Sequence, residues 1–275
     1  SDNAANNAAQ QSRTVQVVDT TAPVITLLGN NPETVECGAV YTDAGATAVD
    51  INEGDLTASI VIVNPVNTAI PGAYIVRYNV SDSFANAAAE VQRTVNVVDT
   101  AVPVITLLGN NPETVECGTA YTDAGATAAD SCGGDLTASI AVVNPVNTAV
   151  PGSYTVTYNV SDGASNAALE VTRTVNVADT AIPVITLLGS PVVTVNLNDT
   201  YTDAGATAAD LCSGDLTASI IAVNPVNTAV VGSYTVTYNV SDTASNAAVQ
   251  VTRTVNVVDT TQPYVASVNV LSANS

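Results

Sequence analysis

Aspartate is the residue this sequence repeats most pointedly. Within each 80-residue period it holds four loop positions: Asp43, Asp50, Asp55 and Asp82, then Asp123, Asp130, Asp135 and Asp162, then Asp203, Asp210, Asp215 and Asp242. A fifth, Asp19, Asp99 or Asp179, stands in the Asp-Thr pair that leads into each copy. Carboxylates gathered in this way suit a hard divalent cation, because Ca2+ takes roughly 6–8 oxygen ligands. The spacing matches no dedicated loop such as an EF-hand. Aspartates in loops also serve by bonding their own backbone. Two readings therefore stand: Ca2+ held at domain junctions by these residues, or loops capped by them.

Arginine recurs in the same register. Arg93, Arg173 and Arg253 share the strand parity of inward-facing Val and Leu. A buried unpaired charge is costly, so either a bulge turns each one outward or a carboxylate meets it. Asp123 is the candidate partner of Arg173, in a structural salt bridge at the domain end. Four cysteines, Cys37, Cys117, Cys132 and Cys212, complete the reactive side chains. Catalysis has little to work with. There is no His and no Lys to act as a general base near neutral pH. No serine stands in a nucleophile elbow, and the carboxylates recur once per copy, as scaffold positions do. The chain reads as non-enzymatic, with no catalytic residue and no cofactor beyond the calcium just described.

The period that carries these residues runs without insertion: Thr14, Thr94, Thr174 and Thr254 are equivalent. A period of about 20–50 residues would mark a solenoid. Eighty residues enclose a core of their own, as domains of about 55–65 residues do. In "SYTVTYNVSD", Tyr154, Val156, Tyr158 and Val160 fall on one face and polar residues on the other. That period of two marks a half-buried strand. "ALEVTRTVNV" does the same with Leu169, Val171, Val175 and Val177. "PVITLLG" and "ASIAVVN" are short β-branched runs bounded by Pro, Gly and Asn. "GDLTAS" reads as one helical turn capped by Asp135, and no segment has a helical period. The pattern predicts an all-β chain: a tandem array of immunoglobulin-like antiparallel β-sandwiches, like beads on a string. On such a path the "YTDAGATAADSCGGDLT" connection, the "SDGASN" loop and Asp99 all lie at the end facing the preceding copy. The linkers "VVDTAVP" and "VADTAIP" are short and stiffened by Pro103 and Pro183, so they restrict bending.

The net charge is −20, from 25 acidic residues against five arginines. Nucleic acid is excluded as a partner, since phosphate neutralisation needs clustered Lys and Arg. A 47% hydrophobic composition argues against disorder. No apolar run approaches the roughly 20 residues of a membrane helix, so no membrane insertion is expected in this segment. Trp is absent and most tyrosines share the core parity, which weakens a direct binding role.

The strings "DTxxPVITLLG", "VECG", "YTDAGATA", "GDLT", "GxYTVTYNVSD" and "RTVNVVD" resemble the bacterial immunoglobulin-like repeat of surface adhesins. That module is also appended to some pesticidal crystal proteins and is related to hyalin-repeat modules. The resemblance covers essentially the whole chain. It divides the chain into the end of a preceding repeat at 1–19 and three repeats at 20–98, 99–178 and 179–258. Residues 259–275 are then a linker and the first strand of a different β-sandwich, because "YVASVNVLSANS" departs from the repeat. Such a chain is a piece of a longer protein. The family pattern implies that Cys117 and Cys132 pair across the long connection, a bridge worth about 3 kcal/mol and suited to an oxidising, extracellular setting. Asn52 and Leu197 occupy the partner positions in the outer copies. Cys37 and Cys212 are then free thiols, or they bridge to a neighbouring molecule in a fibre. The function implied is a structural spacer or stalk segment of a secreted or surface-attached bacterial protein, whose partners are the other domains of the same long chain. The alternatives are an extracellular glycan- or protein-binding module and a subunit of a self-assembling filament. Strands of about ten residues rise about 3.3 Å per residue, so three domains span on the order of 100 Å.

Overall fold

The computed structural model describes residues 9–261. In its first copy of the repeat seven strands follow one another: β1 (Val24–Leu27), β2 (Glu33–Glu36), β3 (Ala46–Asp50), β4 (Gly54–Asp55), β5 (Val61–Val63), β6 (Gly72–Asn79) and β7 (Val91–Val98). They form one sheet in the order β1-β3-β4 and another in the order β2-β7-β6-β5. The second copy repeats them as β8 (Val104–Leu107), β9 (Glu113–Glu116), β10 (Ala126–Asp130), β11 (Gly134–Asp135), β12 (Ala141–Val143), β13 (Gly152–Asn159) and β14 (Val171–Ala178). The third has β15 (Val184–Leu187), β16 (Val192–Asn196), β17 (Ala206–Asp210), β18 (Gly214–Asp215), β19 (Ile221–Val223), β20 (Gly232–Asn239) and β21 (Val251–Val258). The chain is thus all-β, six sheets in three tandem immunoglobulin-like pairs. The helical turn in "GDLTAS" is a short 3-10 turn, Thr137–Ser139 in the second copy. Contacts group the chain into two units. The first is Ser1–Thr106 with Ala126–Ala141 and Asn159–Glu170; the second is Leu107–Gly125, Val142–Tyr158 and Val171–Ser275.

Period-two alternation builds the cores. In the first copy Val76, Tyr78, Val80 and Val95 pack against Ile25, Ala46 and Ala48 of the facing sheet. The third copy uses Val236, Tyr238, Val240 and Val255 against Ile185, Ala206 and Ala208. Each fully buried Val contributes about 1.5–3 kcal/mol. Leu169, expected on the inward face, is instead 84% exposed, because it precedes β14 and lies outside the ladder. Residues 13–18 alternate like the last strand of a repeat, yet form no strand, and Val15, Val17 and Val18 are exposed. A ladder needs neighbours, and among the described residues no strand pairs with this segment. The strand expected after Pro263 lies outside the described residues.

One crossover decides the architecture. β1 pairs antiparallel with β3, with Ile25 opposite Ala48. The chain then leaves that sheet through Gly29–Pro32, and β2 pairs parallel with β7, with Val35 opposite Val97. Gly29 turns at φ +75°, where a Cβ would stand 2.8 Å from the Ala44 Cβ. Where the strand changes sheets, Leu28 O is left without a ladder donor, and Gly45 O has the Leu28 N–H at 3.0 Å. Arg93, fully buried on β7, donates to both. Its guanidinium donates to the Leu28 carbonyl, to the Gly45 carbonyl at 2.9 Å and to Glu33 Oε2 at 3.2 Å. Its Nε lies 3.4 Å from Asp43 Oδ1. Asp43 in turn accepts from the hydroxyls of Tyr41 at 3.0 Å and Tyr78 at 2.7 Å. Burial first, and then the bond to Asp43, push the Tyr78 hydroxyl up to about 12.

The other copies repeat the device. Arg173 donates to Leu108 O, to Gly125 O at 2.9 Å and to Asn110 O at 3.1 Å, with Asp123 at 3.1 Å. Arg253 meets Asp203 and the carbonyls of Leu188, Gly205 and Ser190. Replacing Arg173 by Ala leaves the carboxylate of Asp123 without its cation and removes the guanidinium bonds to Leu108 O and Asn110 O. Breaking a buried pair from one side costs roughly 3–5 kcal/mol. Urea denaturation of R173A should show a loss of that size, and a loss below about 1 kcal/mol would contradict this role.

Candidate functional site

The polar and reactive side chains of each unit converge where one copy hands over to the next. In the first unit, β2 pairs with β7 up to Glu36 opposite Val98, which brings Glu36-Cys37-Gly38 beside the linker. The Cys37 N–H donates to Val98 O at 2.7 Å. Glu36 clamps the linker: Oε1 accepts the N–H groups of Thr100 at 2.7 Å and Ala101 at 3.1 Å, and Oε2 accepts the Thr100 hydroxyl at 2.8 Å. The Thr100 backbone and side-chain donors hold the Glu36 carboxyl below its usual range. Cys37 is bonded to Cys132, which follows β10 of the next copy, with Cα atoms 5.5 Å apart. Gly38, at φ +79°, lets the chains close: a Cβ there would stand 3.3 Å from Ser131 O. Asn166 completes the contact by donating to Asp99 O at 3.0 Å.

The second unit contains the same parts. Glu116 accepts from Thr180 N at 2.8 Å, Thr180 Oγ1 at 2.5 Å and Ala181 N at 3.1 Å. Cys117 is bonded to Cys212 with Cα atoms 5.3 Å apart. A Cβ on Gly118 would stand 2.8 Å from Leu211 Cγ. Asn246 donates to Asp179 O at 3.1 Å.

These bridges overturn the expected pairing. Cys117 does not join Cys132, and Cys37 and Cys212 are neither free nor left for another molecule. The first copy shows why. Position 37 bonds Val98 beside the following linker, whereas Asn52 donates to Asp19 Oδ1 at 2.7 Å and Thr21 Oγ1 at 2.9 Å beside the preceding one. The two positions sit at opposite ends of one sandwich, so each faces an adjoining copy. The sequence did carry a signal: both bridges span 95 residues. The two missing cysteines, at Asn52 and Leu197, are then the outermost rungs of a ladder whose inner rungs are complete.

The fifteen repeated aspartates separate into three groups. Asp55, Asp135 and Asp215 each accept the N–H of the Thr two residues on, at 2.9 Å, and hold the 3-10 turn. Asp43, Asp123 and Asp203 belong to the tyrosine–arginine networks. The remaining nine come together as Asp19, Asp50 and Asp82, as Asp99, Asp130 and Asp162, and as Asp179, Asp210 and Asp242. Within each triad one carboxylate oxygen of each residue lies within 4.8 Å of the other two. Part of this oxygen set caps loops: Asp130 Oδ1 accepts Cys132 N at 2.7 Å and Gly133 N at 2.8 Å. Burial, and then Asp130 and Asp162, push the Asp99 carboxyl up. Burial, and then Asp210 and Asp242, do the same to Asp179. Among the described residues no helix is long and apolar enough to cross a membrane.

The sequence profile described as "Bacterial surface protein, Ig-like domain" matches residues 25–97, 105–177 and 185–257. The pesticidal crystal protein Cry22Aa of Bacillus thuringiensis is 30% identical over 76% of this chain and 31% of its own length. Hyalin of Strongylocentrotus purpuratus is 30% identical over 98% of this chain and 24% of its own. Hyalin of Lytechinus variegatus is 32% identical over 96% of this chain and 53% of its own. The chain thus spans under a third of the first two relatives and about half of the third. Among solved structures, the extracellular domain of protocadherin GammaB4 is 13% identical, covers 86% of this chain and 49% of its own, and has a TM-score of 0.32.

Two outcomes follow from the junction geometry. Non-reducing peptide mapping should recover Cys37 linked to Cys132 and Cys117 linked to Cys212; a Cys117–Cys132 peptide would refute the arrangement. Glu116, held down chiefly by the side-chain and backbone donors of Thr180, should titrate by NMR below an ordinary glutamate. Its folded value is depressed, so the clamp contributes above the unfolded value and is lost as pH falls through the folded one.

Proposed function

The chain belongs to the family of bacterial surface Ig-like domains, and on that premise we propose that it is a non-catalytic spacer segment of an extracellular surface protein. The observation that carries this reading is the disulfide between consecutive copies. A bridge of this kind fits an oxidising compartment. It spends the cysteines on fixing one repeat to the next, while each core is closed by its own arginine network. Closing a loop of about 100 residues is worth about 4–5 kcal/mol in the chain-entropy model. A spacer gains from that investment, because its task is to keep successive domains in register. The adhesive or other activity then belongs to further domains of the same protein, and the spacer's direct partners are those domains.

A deletion tests this. Removing residues 99–178 takes out one period together with Cys117 and Cys132. It leaves Cys37 and Cys212 at the same 95-residue spacing that both native bridges have. A modular spacer should refold with a new Cys37–Cys212 bridge. In small-angle scattering its maximum dimension should fall by about a third from a parent value on the order of 100 Å. Free thiols at both positions, or an unchanged dimension, would defeat the reading.

A further inference from the structure

Asp50 is 2% exposed, and only half of its carboxylate is satisfied. Oδ1 accepts the N–H groups of Asn52 at 2.7 Å and Glu53 at 3.0 Å. Oδ2 is buried with no donor, beside the carboxylates of Asp19 and Asp82. A buried charged oxygen without a partner is costly, and here its neighbours are further negative charges. The same defect recurs in all three copies: Asp19 Oδ2, Asp99 Oδ1, Asp130 Oδ2, both oxygens of Asp179 and Asp210 Oδ2 are likewise buried and unpartnered. The chain has no compensating charge to offer. Its cations are five arginines, and among the described residues none forms an ion pair with any of the nine triad aspartates.

We propose that each triad binds one Ca2+: Asp19, Asp50 and Asp82; Asp99, Asp130 and Asp162; Asp179, Asp210 and Asp242. The donors are all oxygen, which selects a hard cation over zinc or copper. Ca2+ binds oxygen at about 2.3–2.6 Å, so ligands on opposite sides of one ion stand roughly 4.6–5.2 Å apart. Oxygens within 4.8 Å of one another meet that condition. In the second and third copies the first ligand, Asp99 or Asp179, belongs to the linker and the other two to loops of the copy that follows. The ion therefore fastens the linker to the next sandwich, on the same junction as the disulfide but independently of it. The site stands whether or not the segment acts as a spacer.

The test is calorimetric titration of CaCl2 into the chelator-treated full chain at physiological salt, with MgCl2 as competitor. Three Ca2+ should bind per chain, and each of D50N, D130N and D210N should lower the count to two. Asparagine keeps the Oδ1 acceptor that caps each loop, so the fold is retained. D99N, in the linker outside both sandwiches, gives a second variant whose folding is not at stake, and it too should bind two. E170Q, an exposed acid outside the triads, should still bind three. Absence of saturable binding overturns the proposal. An E170Q loss equal to that of D130N would do the same, since it would mean diffuse attraction to an acidic surface. Displacement by equimolar Mg2+ would overturn the assignment to calcium.

Discussion

A buried guanidinium in place of a missing strand is the constraint on which the rest of each sandwich depends. Where the first strand leaves one sheet for the other, the carbonyls of Leu28, Leu108 and Leu188 have no ladder donor. Arg93, Arg173 and Arg253 turn an inward strand position into a set of donors aimed at those oxygens. The aspartate–tyrosine pair beside each balances its charge. Without the crossover, β2 would not run parallel to β7, and the Glu-Cys-Gly segment would not arrive beside the linker. The core thus sets the position of the junction.

At the junction, three weak restraints and one strong one act on the same few residues. The glutamate clamp, the asparagine bond to the linker carbonyl and the close glycine contact each contribute modestly in solvent. The disulfide makes their effects cumulative, because it removes the conformations in which they would be broken together. The third copy departs from this pattern in an informative way. It has Asn196 in place of the clamp glutamate, Leu197 in place of cysteine and Asn198, at φ +66°, in place of glycine. Asn tolerates that backbone region better than other non-glycine residues, so the turn survives although the covalent link is gone.

Much of the fold was legible because strand parity is local. Val156, Tyr158 and Val160 could be placed inward from their own stretch of sequence, and they are buried. Arg173 could be recognised as anomalous by the same parity. The carbonyls it serves, however, lie some sixty residues away and become visible only in three dimensions. The aspartates looked alike in sequence, yet their roles diverge according to what the fold brings near: a threonine N–H for Asp135, two tyrosines for Asp123, other carboxylates for Asp130. The cysteines were misread for a different reason. The family pattern implied a pair within one copy, but the fifteen residues between those positions traverse a sandwich from end to end, as Cys37 and Asn52 show. Comparing the separations between copies, rather than within one, would have revealed the equal spans.

The two bridged loops, Cys37 to Cys132 and Cys117 to Cys212, overlap within the second copy. A single peptide-bond cut anywhere from residue 38 to residue 211 therefore falls inside at least one closed ring. The severed halves stay covalently joined through sulfur. Between those bounds the chain survives a lone proteolytic nick in any exposed loop or linker, and it comes apart there only when a second cut or a reductant follows.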